Sequence, residues 1–155
     1  MPLIGREAVS AAIDDTVDSV NTSLRKIYIK GLSEIVKETP VDTGRARNNW
    51  FLTVGSPFSL LAGRDEDKNG NDSEESLLTS PKTVLGKKIY FTNNLPYIGT
   101  LEYGGYPDPV KKGSYNKKKK KYIKLSKGGY SIQAPKGWVR AALMRMRNKI
   151  RSLSL

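Results

Sequence analysis

A long helical stripe at the start of the chain constrains the fold more than any other feature. Between about residues 6 and 38, apolar side chains recur at spacings of three and four, the period of one face of an α-helix. Acidic residues lie mainly in the first half and basic residues in the second, an order that suits the helix dipole. The stripe consists of Val9, Ile13, Val17, Val20, Leu24, Ile27, Gly31 and Ile35.

This helix is long for a globular domain. At the usual rise per residue it would span roughly 45 Å, so we expect it to pack on a sheet or on neighbouring subunits. Pro40 ends it, because the residue before a proline is pushed out of the α region.

Two strands and a short helix are expected in the middle of the chain. Aromatic and β-branched runs at residues 50–54 and 89–92 predict strands. Residues 97–103 predict a short helical turn, which Gly104 and Gly105 would close.

A hairpin and a helix are expected toward the end of the chain. Residues 122–125 and 130–132 predict the arms of the hairpin, and Pro135 suits the first turn of the helix. The sequence therefore predicts one α+β domain over residues 1–155, with a long N-terminal helix packed on a small, mostly antiparallel sheet and a C-terminal helix. The apolar face of the last helix would carry Val139, Leu143, Met146 and Ile150.

The missing residue types exclude much chemistry. The chain has no Cys and no His, which rules out disulfides, thiolate nucleophiles, Cys/His zinc sites and a histidine general base. No phosphate-binding loop is present. Asp42 and Glu102 are the candidate catalytic carboxylates, but an Asx-turn and a salt bridge to an arginine are their ordinary explanations. We therefore expect neither an enzyme nor a cofactor.

The charge is divided unevenly along the chain, whose net charge is +12. Residues 1–80 hold 9 basic and 13 acidic side chains, a balance of −4, whereas residues 81–155 hold 18 basic and 2 acidic, a balance of +16. Such asymmetry predicts a directed electrostatic surface. Part of the acidic excess falls in residues 56–83, for which we predict an exposed loop centred on residues 63–76. Asp65 to Gly70 resemble the start of a calcium loop, but Ser76 stands where the bidentate Glu should be.

A lysine run dominates the basic half and lies in a segment, residues 106–132, that we interpret as an exposed arm. Nine lysines within 17 residues repel one another and resist burial. They could contact nucleic-acid phosphates without reading bases, or dock on an acidic protein surface, and both alternatives stay open. The lysines of the arm are Lys111, Lys112, Lys117, Lys118, Lys119, Lys120, Lys121, Lys124 and Lys127.

The last helix carries a second set of bases, which could line a channel or contact a partner. They are Arg140, Arg145, Arg147, Lys149 and Arg151. No apolar run approaches the roughly 18 residues of a membrane span, and no signal peptide is evident. We therefore expect no membrane partner and assembly in a cytosol.

Three segments in order after the long helix resemble the neck or tail-completion family of tailed double-stranded DNA bacteriophages. They are TPVDTGRARNNW at residues 39–50, IYFTNNLPYIGTLEYGG at residues 89–105 and QAPKGWVRAAL at residues 133–143. The resemblance implies a structural virion protein that forms a ring, a hexamer rather than a dodecamer, at the junction of head connector and tail. Its partners would be itself, the adjacent neck, connector and tail-tube proteins, and the genomic DNA that passes through the channel.

The motif residues also have physical roles. Trp50 would anchor its strand in the core, the amides of Asn93 and Asn94 could bind backbone groups at a corner, and Glu102 could pair with Arg45 or Arg140. Leu101 and Tyr103 would pack beside it. The full set of structural motif residues is Pro40, Asp42, Gly44, Trp50, Asn93, Asn94, Pro96, Glu102, Gly104 and Pro135.

The inserted arm departs from the family pattern, in which the second and third segments follow each other closely. We hypothesise that the acidic loop and the lysine arm contact surfaces of opposite sign on neighbouring subunits. The alternative function is a nucleic-acid-binding protein without sequence specificity, acting through the lysine-rich arm.

Overall fold

The computed structural model describes residues 4–61, 63–106, 115–116, 118, 120–122 and 127–153. It confirms the α+β fold, with a long N-terminal helix, a two-stranded antiparallel sheet and a C-terminal helix. The helices are α1 (Ile4–Glu38), α2 (Arg45–Asn48), α3 (Asn71–Leu78), α4 (Ile98–Tyr103) and α5 (Val139–Arg151). The strands are β1 (Phe51–Val54), β2 (Ile89–Thr92), β3 (Tyr115–Asn116) and β4 (Lys121–Tyr122).

The strands form two antiparallel pairs. β1 pairs with β2 so that Phe51 lies opposite Thr92 and Val54 opposite Ile89. β3 pairs with β4 inside the lysine arm, with Tyr115 opposite Tyr122. The short β1–β2 ladder needs further cover, because an isolated two-stranded hairpin is at best marginally stable in water.

The predicted hairpin of residues 122–125 with 130–132 lies partly outside the described residues, because residues 123–126 are not among them. Tyr122, which is described, pairs with Tyr115. The amides of Gly105 and Tyr106 donate to the carbonyls of Gly128 and Gly129. This close approach needs glycine, because a Cβ on Gly129, whose φ is +75°, would lie 2.5 Å from the Tyr106 amide nitrogen.

The core lies where the second half of α1 meets α5 and β1. Leu32, Ile35 and Val36 are buried against α5, and Gly31 contacts the side chain of Met146. Trp50 is buried below this layer and stacks on Phe91, with ring centroids 5.0 Å apart. The indole of Trp50 thus links α1 to both strands of the larger sheet.

Only the second half of the α1 stripe enters this core. Val9, Ile13 and Val17 are 60%, 57% and 42% exposed, although they continue the same helical face. Residues 5–19 are all exposed, so the first half of α1 projects from the domain. The periodicity predicts the stripe correctly, but within the described chain only its second half is covered.

Helix α5 differs from its prediction in its start and in its rotation. It begins at Val139, and Pro135 lies in a preceding turn in which the amide of Gly137 donates to the carbonyl of Ala134. Its buried side chains are Ala142 and Met146. Leu143 and Ile150, expected in the core, are 50% and 45% exposed. The turn that positions the start of α5 therefore also fixes which part of its apolar face is buried.

The acidic loop predicted over residues 56–83 contains helix α3, which corrects the exposed-loop interpretation. Ser73 and Leu77 of this helix are buried, and Leu77 belongs to the core. Asp65, Glu66, Asp72 and Glu75 are exposed, which explains why the composition of the segment is typical of a loop. A helix of this size can be polar on one side and still be held by one buried leucine.

Replacing Trp50 by alanine tests the core. Because Trp50 is buried and stacked, we expect Trp50→Ala to lower the free energy of unfolding by about 3–5 kcal/mol. Urea denaturation followed by circular dichroism measures this change. The matched control is Leu78→Ala on the exposed side of α3, for which we expect a change within about 0.5 kcal/mol. Equal effects of the two substitutions would contradict this description of the core.

Candidate assembly surfaces

The start of α5 is held by one buried carboxylate. Glu102, at the end of α4, is 5% exposed and accepts hydrogen bonds from the amides of Trp138, Val139 and Arg140 at 2.7, 2.8 and 3.0 Å. The first amides of a helix have no partner within the helix and carry partial positive charge. Glu102 therefore caps α5 from another element. Sequence analysis predicted a salt bridge here but not the cap.

The charge of Glu102 is stabilised where it lies. Burial would raise the pKa of Glu102, but the amides of Trp138, Arg140 and Val139 and the guanidinium of Arg140 outweigh it, so the pKa is lowered. Nε of Arg140 lies 2.8 Å from Oε1 of Glu102. Of the two predicted partners, Arg140 is therefore the one the structure shows.

Two of the bases on α5 are engaged inside the subunit. Arg140 pairs with Glu102, and its guanidinium lies 4.8 Å from the ring centroid of Tyr103. Tyr103 was expected to pack beside Glu102; it is largely exposed, and its ring contacts the guanidinium of Arg140. Arg145 pairs with Glu34 at 3.0 Å and Glu38 at 2.9 Å, which ties α5 to the end of α1.

The other three bases of α5 face outward. Arg147, Lys149 and Arg151 are exposed, and their side chains make no hydrogen bond or ion pair to any residue that the structure describes. They therefore remain available to a partner, as the sequence predicted for the whole set.

The corner after α1 is built by side chains that cap the helix end. The guanidinium of Arg47 donates to the carbonyls of Lys37 and Thr39, and Trp50 Nε1 donates to the hydroxyl of Thr39 at 3.0 Å. The last carbonyls of a helix lack intrahelical partners, and Arg47 satisfies the one of Lys37. Arg47 and Thr39 were not singled out from the sequence, although both lie within the first motif segment.

The turn within this corner differs from its prediction in one residue. Asp42 is exposed and makes no side-chain hydrogen bond to the residues described, and the hydroxyl of Thr43 instead accepts a bond from the amide of Arg45. Gly44 is required, because its φ is +97° and a Cβ would lie within 2.4 Å of the Lys68 backbone. Pro40 is buried beside it.

The acidic segment is tied to this corner by two buried asparagines. Asn48 donates to Asp72 at 2.7 Å and accepts from the amide of Asp72 at 2.9 Å. Asn49 accepts from the amides of Gly63 and Arg64, both at 3.2 Å. Buried amides fully paired in this way fix a loop as firmly as apolar contacts do. The adjacent asparagines in the sequence were the available signal for this role.

Asp67 acts as a local cap. Its carboxylate accepts from the amides of Asn69 and Asn71, both at 2.9 Å, at the start of α3. Hydrogen bonds from the amides of Asn71 and Asn69 lower the pKa of Asp67, against a small opposing effect of burial. Among the residues that the structure describes, no cluster of acidic side chains could hold a metal ion.

The three motif segments meet in space. The side chain of Gln133 donates to the carbonyl of Val41 at 2.7 Å and accepts from the amide of the same residue at 2.8 Å. Asn93 donates to the carbonyl of Ala46 at 2.8 Å, and Glu102 joins the second segment to the third. Asn94 donates to the carbonyls of Phe58 and Leu60, so both asparagines bind backbone groups as expected.

The lysine arm is described only in part. Lys118, Lys120 and Lys127 are exposed, and the backbone of Lys121 lies in β4. The remaining lysines of the predicted arm, Lys111, Lys112, Lys117, Lys119 and Lys124, lie outside the described residues.

Comparisons with protein-family models, with curated proteins and with solved structures find no significant match for this chain. The resemblance of the three segments to the phage neck family therefore stays a prediction. Within the part of the chain that the structure describes, no helix is both long and apolar enough to cross a membrane.

Replacing Glu102 by glutamine tests the cap. The variant keeps the shape of the side chain but loses its charge, and its amide group faces backbone donors. We expect Glu102→Gln to lower the free energy of unfolding by about 3 kcal/mol, the lower end of the range for breaking a buried pair, since Arg140 is half exposed. The control Asp42→Asn removes an exposed carboxylate and should change stability by less than about 0.5 kcal/mol.

The same variant should change the pH dependence of stability. The folded-state pKa of Glu102 is lowered, so its contribution is complete above the unfolded value of about 4.3 and is lost as the pH falls through the folded-state pKa. The difference in unfolding free energy between wild type and Glu102→Gln should therefore be constant from pH 6 to 8 and shrink below about pH 4. A difference independent of pH down to pH 2 would contradict a charged Glu102.

Proposed function

We propose that this chain is a structural protein of the bacteriophage neck, which forms a ring that joins the head connector to the tail around the DNA channel. In this role the protein works by shape and contact, without catalysis or a cofactor. Its place is the virion, at the head–tail junction, after assembly in the host cytoplasm. A hexameric ring is the form that the resemblance favours.

The observation that carries this proposal is the convergence of the three motif segments. They are separated along the chain, yet Gln133 binds Val41, Asn93 binds Ala46, and Glu102 binds the first amides of α5. The residues on which the family resemblance rests are thus the residues that join α1, the sheet and α5. A resemblance confined to surface loops would support a shared fold far less.

The exposed surfaces also suit a protein whose partners are other proteins. The described chain shows an uncovered apolar face on α1 and an outward basic face on α5. An enzyme would instead need a cleft with convergent polar groups. Glu102 and Asp42, the two carboxylates considered for catalysis, are respectively committed to the α5 cap and exposed on a turn.

The lysine arm supports a second candidate function, nucleic-acid binding. Lys118, Lys120 and Lys127 are exposed, so the arm could bind phosphates of nucleic acid without sequence specificity. That function predicts binding of a monomer to DNA, with an affinity that falls steeply as salt is raised. The neck proposal predicts self-assembly that does not require DNA.

Electron microscopy and a DNA titration separate the two functions. We expect negatively stained images of the purified chain to show rings with a central opening. Fluorescence anisotropy with a 30-base-pair duplex should show only weak binding at 150 mM salt. Absence of rings together with tight, salt-sensitive binding of a monomer would overturn the neck proposal and support the nucleic-acid function.

Removing the arm tests whether it serves assembly. A variant in which a short Gly-Ser linker replaces residues 107–126 should keep its helical circular dichroism, because β3 and β4 pair with each other and lie outside the core. We expect this variant to fail to form rings or to fail to bind head connectors. The control neutralises Lys82, Lys87 and Lys88, exposed bases outside the arm, and should assemble normally. Unchanged assembly of the arm deletion would refute a contact role for the arm.

A further inference from the structure

The projecting half of α1 has an apolar face that no described residue of the chain covers. Val9, Ile13 and Val17 follow one another at a spacing of four, and all three are substantially exposed. Ala12 and Thr16 complete the same shallow surface. An exposed apolar strip along about two and a half turns of helix is typical of a protein–protein contact.

The same face of α1 already binds a helix further along. In its second half, Gly31 contacts Met146 of α5, and Ile35 accepts a hydrogen bond from Trp138 at 3.0 Å. Positions 9, 13, 17, 31 and 35 share one helical stripe. The second half of this stripe packs against α5. The first half has a similar apolar surface, which another helix could cover.

A complementary helical surface exists on α5. Leu143, Arg147 and Ile150 stand at i, i+4 and i+7, which places them on one side of the helix, and all three are exposed. This strip lies beside the buried face that carries Ala142 and Met146. α5 has 13 residues and is roughly 20 Å long, which fits the projecting part of α1.

The charges of the two helices also complement each other. α5 contains five basic residues and no acidic one, whereas residues 4–18 of α1 contain one basic and four acidic residues. Asp14, Asp15 and Asp18 lie mostly on the side of α1 away from its apolar stripe. They would act on α5 through the field between the helices, which at physiological salt extends over about 8 Å.

We propose that the projecting half of α1 docks on the outward face of α5 of a second copy of this chain. Val9, Ile13 and Val17 of one subunit cover Leu143 and Ile150 of the next, and Arg147 lies at the edge facing the acidic helix. The inference deepens the proposed ring, and closure of the ring rests on that proposal. Because the contact joins two different surfaces, each subunit offers one to each neighbour.

Pairing of two α1 stripes is the competing arrangement, and the observations disfavour it. It would be a contact between identical surfaces, which closes as a dimer and does not continue into a ring. It would also bring together two helix halves of the same negative sign, and it would leave the apolar strip of α5 uncovered.

In the sequence hypothesis, the acidic loop contacts a basic surface of a neighbouring subunit. In the proposed contact, α1 supplies the acidic surface. Three of the six acids of the loop have partners within the subunit: Asp72 pairs with Asn48, Asp67 caps α3, and Glu74 accepts from Ser33 at 2.9 Å. The other three, Asp65, Glu66 and Glu75, are exposed. Asp14, Asp15 and Asp18 make no side-chain hydrogen bond or ion pair to any residue described. Half of the acids of the loop are thus engaged within the subunit, whereas these three aspartates of α1 are all available to attract a basic neighbour.

Two matched pairs of variants test the contact in the full chain. Ile13→Asp and Leu143→Asp each place a charge in the proposed interface. Ala11→Asp and Ala141→Asp place the same charge on the opposite sides of the same helices, where both alanines are exposed. Sedimentation velocity over a concentration series should show dissociation constants raised at least about tenfold for the first pair and little changed for the controls. Circular dichroism and thermal unfolding verify that all four variants fold.

Mixing the two interface variants distinguishes the two arrangements. Ile13→Asp keeps an intact α5 and Leu143→Asp keeps an intact α1, so a mixture can form one wild-type contact. We expect each variant alone to be monomeric and the mixture to form 1:1 dimers. If α1 stripes paired with each other, Leu143→Asp alone would still dimerise and the mixture would gain nothing, which would overturn the inference.

Disulfide formation gives a readout that does not depend on affinity. The chain has no cysteine, so introduced thiols are the only ones present. Ile13→Cys mixed in turn with Leu143→Cys and with Ile150→Cys should yield cross-linked heterodimers in at least one mixture, well above the homodimers. Predominant homodimers of Ile13→Cys would overturn the inference in favour of α1 pairing.

The outcomes separate this inference from the neck proposal. Rings that persist in Ile13→Asp overturn the α1–α5 contact and leave the neck proposal intact. Loss of self-association in Ile13→Asp, from a wild type that forms small oligomers but no rings, supports the contact and counts against the ring. A wild type that stays monomeric at the highest concentration reached overturns the contact, and it overturns the neck proposal only if it also binds DNA tightly.

Discussion

The rest of the structure depends on the carboxylate of Glu102 at the start of α5. It supplies the partner that three helix amides lack, and it holds the guanidinium of Arg140 alongside. Gly137 permits this approach, since a Cβ there would lie 2.3 Å from the Glu102 carbonyl oxygen. The cap fixes where α5 begins and how it is rotated. That rotation places Ala142 and Met146 against α1 and leaves Leu143 and Ile150 outside.

Elements governed by local patterns could be predicted from the sequence, and those governed by long-range polar contacts could not. The extent of α1, strand β2 and helix α4 follow from periodicity, β-branched residues and glycines near each element. The rotation of α5 about its axis could not be predicted in this way. Its apolar residues occupy a wider arc of the helix surface than one neighbouring helix can cover. Which part of that arc is buried depends on Glu102, which lies 36 residues before Trp138.

The structure of the acidic segment, residues 56–83, also could not be predicted from the sequence, for a different reason. Its composition is typical of a solvated loop, yet α3 is buried on one side and Asn48 holds Asp72 by two hydrogen bonds. Hydropathy patterns cannot reveal a helix that is fixed by side-chain amides. For the candidate surfaces, the sequence predicted the exposure of Arg147, Lys149 and Arg151 on α5 and of Lys118, Lys120 and Lys127, the arm lysines whose exposure the structure describes. It did not predict that the first half of the α1 stripe would be left uncovered within the chain.

The net charge of each half of the chain includes side chains that are paired within the subunit. Only the unpaired charges can act on a partner. In the acidic half, Asp67, Asp72 and Glu74 hold their own subunit together, and in the basic half Arg140 and Arg145 do the same. Among the described residues, the charges that remain outward include the acids of the first half of α1, Asp65, Glu66 and Glu75, the bases on the outer face of α5, and Lys118, Lys120 and Lys127. A base that pairs with an acidic residue of a neighbouring subunit cannot also contact a DNA phosphate. Each base left free for such a contact would strengthen DNA binding. In the proposed ring, DNA would slide more easily if these bases lay between subunits than if they faced the channel.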